Sequence, residues 1–164
     1  MRKAYRLILL LMLLAVVAAA QNHTKGLAIE GLDGRQTTFT LQQMQKLPRQ
    51  SVTVADPHTH ANHIFEGVLL SALLIESGAP SGKSLEGASL HDYLEVIGTD
   101  HYKVVFSLPE VDPMFSDNKV LVADIMDGKP LDSSRGFLQL IAPQDRRAAR
   151  WVRMLTSIRV LQAQ

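Results

Sequence analysis

The sequence contains no cysteine among its 164 residues. Thiolate nucleophiles, thiolate-ligated metals, Fe–S clusters and covalently attached c-type haem all need cysteine sulfur, so this chain has none of them. Disulfide bonds are excluded for the same reason, so they do not contribute to the stability of the folded state.

An excess of charge of either sign is also missing. Residues 21–164 hold 14 Lys and Arg against 16 Asp and Glu, because three of the 17 basic residues are Arg2, Lys3 and Arg6. Nucleic-acid-binding domains typically carry a clustered basic excess. The near balance therefore argues against a nucleic-acid partner and gives no reason to expect tight electrostatic binding to a membrane.

Long apolar runs are absent except at the amino terminus, where Leu7–Val17 follows three basic residues. Ala18-Ala19-Ala20 supplies the small-residue pattern of a cleavage site, so residues 1–20 are predicted to be a secretory signal peptide cut after Ala20. The alternative is an uncleaved membrane anchor, for which the run is short. Cleavage would leave residues 21–164 as a single periplasmic or secreted domain without a stable membrane span.

Short apolar and β-branched runs separated by turn signals make up most of the remaining chain. Asp33-Gly34 and Asp127-Gly128 predict hairpin turns. Helices are predicted at 41–47 and 68–77, with Gly78 just past the end of the second. Strands are predicted at 27–30, 36–40, 51–54, 93–97, 102–108, 119–125, 137–141 and 158–161. This pattern predicts a β-rich, mixed-sheet α+β domain.

A histidine cluster follows the predicted strand at 51–54. His58, His60 and His63 lie within six positions, and Asp56 precedes them. Imidazole is the commonest metal-ligating side chain, and three histidines with one open position are typical of a catalytic zinc site. Asp56 is a candidate fourth ligand or a partner that fixes a histidine tautomer. Two alternatives remain open: an ordinary polar loop, or a loop that lines a small-molecule cleft.

Several stretches, taken together and in order, resemble the oxidoreductase molybdopterin-binding domain of the sulfite oxidase type. They span most of 26–160 and comprise 52–54, 65–70 with Leu73, Leu74 and Gly78, 100–110, 121–124, 136–143 and 150–152. The resemblance implies the sulfite oxidase fold and a molybdopterin-type cofactor. It also implies that a loop cysteine after the strand at 52–54 should ligate molybdenum, and that cysteine is missing here.

The resemblance further implies a basic loop that holds the phosphate of the pterin. Arg146, Arg147 and Arg150 stand near that place and are followed by Trp151. These four residues are the predicted cofactor-binding set. The alternatives are a solvated basic face for the arginines and a core position for the tryptophan.

The expected function is that of an exported molybdopterin-binding-like domain without conventional molybdenum oxidase activity. Its expected ligand is a small anion or a pterin-like molecule, and a redox protein is a possible partner. If the chain is an enzyme, the resemblance implies a molybdopterin-dependent oxidoreductase. Two alternatives are a module that binds zinc or another divalent metal through the histidine cluster, and a structural or interaction domain without a ligand.

Overall fold

The computed structural model describes residues 26–55 and 61–163, which form ten strands, three short α-helices and three 3-10 helices, the latter at Gly82–Ser84, Gly87–His91 and Ala148–Arg150. The strands are β1 (Gly26–Glu30), β2 (Gln36–Thr40), β3 (Arg49–Ala55), β4 (Asn62–Leu69), β5 (Tyr93–Gly98), β6 (Lys103–Ser107), β7 (Leu121–Met126), β8 (Lys129–Pro130), β9 (Gln139–Ile141) and β10 (Leu155–Leu161). The α-helices are α1 (Leu41–Met44), α2 (Leu70–Glu76) and α3 (Leu108–Val111).

The strands form two sheets. In the first sheet the order is β2-β1-β10-β5-β6. Strands β1 and β10 pair in parallel, and the other three neighbouring pairs are antiparallel. In the second sheet β3, β4 and β7 are neighbours, and β8 and β9 both pair with β7. The predicted β-rich, mixed-sheet α+β fold is confirmed.

Helix α2 begins two residues later than the sequence pattern predicts. Val68 and Leu69 remain in β4, because they pair with Val122 and Leu121 of β7. Leucine spacing alone does not distinguish the end of a buried strand from the first turn of a helix. The helix ends at Glu76, one residue before the predicted end, and Gly78 lies just past it as predicted, with a positive φ of 81°. Helix α1 ends at Met44 rather than at the predicted position 47.

Two hydrophobic clusters use opposite faces of the second sheet. Val122 belongs to the larger cluster, which joins the two sheets, whereas its neighbours Leu121 and Ala123 belong to the smaller one. This alternation follows from the two-residue period of a strand. Trp151 is half-buried and packs against both clusters, so it lies where the two cores meet.

A β-bulge interrupts the pairing of β4 with β7. Glu66 faces Ile125 and Gly67 faces Ala123, so Asp124 is the extra residue. Its carboxylate Oδ1 accepts a hydrogen bond of 2.5 Å from Nη2 of Arg49 in β3. Asp124 is buried and Arg49 is mostly so. The bulge thus turns a charged side chain toward a partner on the edge strand.

The predicted signal peptide lies outside the described residues. Within the ranges 26–55 and 61–163, no helix combines the length and the apolar character that a membrane crossing requires.

Candidate ligand-binding site

An aromatic pair joins Trp151, one of the predicted cofactor-binding residues, to Phe65 of β4. Phe65 is buried on β4, and the ring of Trp151 meets it edge-on at 75°, with 6.2 Å between the ring centroids. The indole N–H of Trp151 donates to the carbonyl oxygen of Ala142 at 2.9 Å. The tryptophan is therefore a packing residue whose N–H has a hydrogen-bond acceptor.

Arg135, which the sequence analysis does not identify, joins this pair. Its guanidinium carbon lies 5.6 Å from the centroid of Phe65, in the range of a cation–π contact. Its Nη1 donates to Oε1 of the buried Gln139 at 3.1 Å, and its Nε lies 3.8 Å from Oδ2 of Asp132. No sequence signal links Arg135 to Phe65, because seventy positions separate them and only the tertiary fold brings them together.

His63, the member of the predicted histidine cluster that lies within the described residues, is held by an aspartate. Nδ1 of His63 lies 2.6 Å from Oδ2 of Asp127, and the backbone N–H of Ile64 donates to Oδ1 of the same carboxylate at 2.9 Å. The bond from Ile64, followed by the bond to His63, lowers the pKa of Asp127. Asp127 also forms the predicted hairpin turn, with Gly128, at φ values of 51° and 74°.

This pairing fixes the orientation of the imidazole. An aspartate on Nδ1 selects the ring tautomer and leaves Nε2 available for another partner. In the described part of the chain, no hydrogen bond to Nε2 is present. His63 is therefore oriented in the manner of a metal-ligating histidine, although nothing in this geometry supplies the other ligands.

The other predicted metal ligands, Asp56, His58 and His60, lie outside the described residues. Within 26–55 and 61–163, no group of three or more His, Asp or Glu side chains is arranged to hold a metal ion. The four-residue metal set consequently stays a prediction.

Arg150 is engaged by two carboxylates. Its Nε and Nη2 donate to the two oxygens of Asp145 at 2.8 and 2.6 Å, and Nη2 also lies 2.8 Å from Oε1 of Glu110. Asp145 and then Glu110 raise the pKa of Arg150. The guanidinium also stacks on Phe106 of β6 at 4.2 Å from the ring centroid. Arg150 thus fastens its segment to β6 and α3, and its charge is already compensated.

Arg146 and Arg147 differ from Arg150. Both are exposed, and neither makes an ion pair or hydrogen bond with a residue in the described part of the chain. The backbone beside them is fixed, because the hydroxyl of Tyr102 donates to the carbonyl oxygen of Ala149. The segment therefore presents two uncompensated positive charges from an anchored backbone.

One comparison shows the family of this chain, and another shows its fold. A family model described as the oxidoreductase molybdopterin binding domain matches residues 14–164. Among solved structures, the sulfane dehydrogenase SoxCD from Paracoccus pantotrophus matches with a TM-score of 0.66 and 22% sequence identity, over 84% of this chain and 38% of that chain. At that identity the structural likeness shows the fold. This chain spans well under half of the SoxCD chain, and no curated protein matches it.

Proposed function

Since the chain belongs to the oxidoreductase molybdopterin binding domain family, we propose that it binds a small anionic or pterin-like ligand and does not carry out conventional molybdenum-dependent oxidation. We also propose that it works outside the cytoplasm, after cleavage behind Ala20, and that a redox protein is its partner. The observation that carries the ligand proposal is the pair of exposed arginines, Arg146 and Arg147, which have no side-chain partner among residues 26–55 and 61–163 and lie on an anchored backbone.

The residues present fit only part of a molybdenum cofactor. The family's metal is ligated by a loop cysteine after the strand that corresponds to 52–54, and no position of this chain is a cysteine. The phosphate end of such a ligand needs basic donors, and Arg146 and Arg147 supply them. The chain therefore has basic residues for an anion but no thiolate to ligate molybdenum.

The arrangement of charges favours an anion over a neutral ligand. Asp145 and Glu110 both bind Arg150, so they are not free to neutralise the two neighbouring arginines. Guanidinium groups bind phosphate through paired N–H donors, so the contact has a defined geometry in addition to electrostatic attraction. Arg150 contributes by positioning the segment, and Trp151 contributes by joining it to both hydrophobic clusters.

Replacement of both Arg146 and Arg147 by alanine should weaken anion binding about tenfold or more, because one to two charge-assisted hydrogen bonds to the anion would be lost. Binding of pyrophosphate, and of any pterin that is retained after gentle purification, would be measured by calorimetry and by pterin fluorescence. The N terminus of the same purified protein, read by mass spectrometry, tests cleavage after Ala20.

The matched control is Arg35→Ala, which removes an exposed arginine from the β1–β2 turn, away from this segment. It should leave pyrophosphate affinity unchanged. Equal affinity in the double variant and the unaltered protein would contradict the anion-site proposal. If neither protein binds any anion, the reading as a ligand-free structural domain is the one to pursue.

A second candidate function is divalent-metal binding, and the His63–Asp127 pair is the observation that favours it. Untagged protein should contain zinc or another divalent metal at a near-stoichiometric level by elemental analysis. The triple change of His58, His60 and His63 to alanine should remove the metal. Asp127→Ala alone should lower metal affinity about 10- to 100-fold, because Asp127 fixes the tautomer of His63.

His91→Ala is the control for this experiment, since His91 is an exposed histidine elsewhere in the chain. Metal content that is unchanged in the triple variant would rule out the histidine site. Molybdenum at a stoichiometric level would instead redirect attention to the arginine segment, because a cofactor would then be held without a cysteine ligand.

A further inference from the structure

A cavity lies at one end of the first sheet, where the amino ends of β1 and β10 meet the segment that follows β8. Its volume is about 780 Å³, within the roughly 300–1,000 Å³ that small-molecule sites occupy. Apolar side chains form much of its wall, among them Leu131, Phe137, Met154 and Leu155. None of the residues predicted to bind cofactor or metal is among its described lining residues.

The walls of this cavity are fixed by backbone contacts. Met154 has a positive φ of 48°, which is uncommon for a non-glycine residue. Its N–H donates to the carbonyl oxygen of Arg135 at 2.6 Å, and its carbonyl oxygen accepts from the N–H of Thr99 at 3.0 Å. Gly136 packs directly against it, since a Cβ at Gly136 would lie 2.7 Å from the Met154 Cα. Three separate segments are thereby locked together around the cavity.

The charge on the wall is negative. Asp132 is the charged side chain among the described lining residues. Its Oδ1 accepts from the hydroxyl and N–H of Ser134 and from the N–H of Arg135, and the bond from the Ser134 hydroxyl contributes most to lowering its pKa. Asp132 is therefore ionised at neutral pH. Oδ2 is only weakly engaged, with Arg135 Nε at 3.8 Å.

We propose that this cavity binds a planar, apolar small molecule that is uncharged or positively charged. Apolar walls favour a hydrophobic body, and the thioether of Met154 favours contact with an aromatic ring. The ionised carboxylate of Asp132 opposes an anion. The cavity is therefore expected to bind a different class of ligand from the anion proposed for the arginine segment, and the two proposals can be tested independently.

The test uses two fluorescent probes on the purified full chain: Nile red, which is neutral, and anilinonaphthalene sulfonate, which is an anion. Nile red should bind at one saturable site, and the anionic probe should bind more weakly. Phe137→Ala should weaken Nile red binding about fivefold, because part of the apolar wall is lost. Ser133→Trp, which places an indole in the cavity from an exposed position, should abolish it.

Phe115→Ala is the matched control, because Phe115 and Phe137 are exposed to a similar degree, 48% and 53%, and Phe115 is not a lining residue. It should leave Nile red affinity unchanged. Asp132→Asn keeps the turn acceptor but removes the charge, so it should strengthen binding of the anionic probe. Equal losses in both phenylalanine variants, or no saturable binding of Nile red, would overturn the proposal, as would Nile red that still binds Ser133→Trp.

Discussion

Gly67→Ala is expected to lower the free energy of unfolding by about 3 kcal/mol or more, at the upper end of what overpacking costs. A Cβ at Gly67 would overlap the carbonyl oxygen of Val122 and would lie 2.7 Å from the Cα of Ala123. Both contacts are with the backbone of β7, so a change of side-chain rotamer cannot relieve them. The strands would have to separate at the bulge, and urea unfolding followed by the fluorescence of Trp151 would measure the loss.

Trp151 is a suitable reporter for this variant because it is the one tryptophan in the chain and packs edge-on against Phe65, two residues from Gly67. Gly31→Ala provides the matched control. The nearest atom to a Cβ there is Oδ1 of Asp33 at 3.2 Å, which belongs to an exposed side chain that can move, and the next is the carbonyl oxygen of Arg35 at 3.8 Å, an ordinary van der Waals distance. Stability of Gly67→Ala within 1 kcal/mol of the unaltered protein would show that the approach of β4 to β7 is not as close as described.

The second large effect is expected from Asp124→Ala. Removal of this carboxylate leaves the mostly buried guanidinium of Arg49 without its ion-pair partner, at a cost of about 3 kcal/mol. Nη1 of Arg49 is already buried without a hydrogen-bond partner among the described residues, so the lost bond would not be replaced nearby. Thermal and urea unfolding at neutral pH would measure the difference.

A double variant separates the cost of an unpaired charge from the worth of the ion pair. Arg49→Met combined with Asp124→Leu should recover most of the stability, because a buried ion pair can be replaced by apolar groups at little net cost. Glu30→Ala is the surface control: its pair with Arg159 is 43% exposed on each side, so the loss should stay within about 1 kcal/mol. A double variant no more stable than Asp124→Ala would show that the ion pair itself stabilises the bulge.

The sequence by itself determined the elements whose signals are local. Asp127-Gly128 predicts a hairpin turn, and both residues take the positive φ that such a turn requires. Gly78 predicts the end of α2 for the same reason. The ordered set of matching stretches identified the family and the fold, and the absence of cysteine excluded a thiolate ligand. These conclusions needed only the order of residues along the chain and its composition.

The tertiary structure decided which side chains meet. Asp127 lies 64 positions from His63, Glu110 lies 40 from Arg150, and Asp124 lies 75 from Arg49. No pattern in the sequence distinguishes Arg150 from Arg146 and Arg147, which have no ion-pair partner among the described residues. Three arginines lie within five positions of Asp145, and only the fold shows that Arg150 is the one that binds both Asp145 and the distant Glu110. The same is true of the end of β4, where pairing with β7 overrides a leucine spacing typical of a helix. Backbone preference acts over a few residues, whereas charge compensation and strand pairing depend on distances in space that only the folded chain fixes.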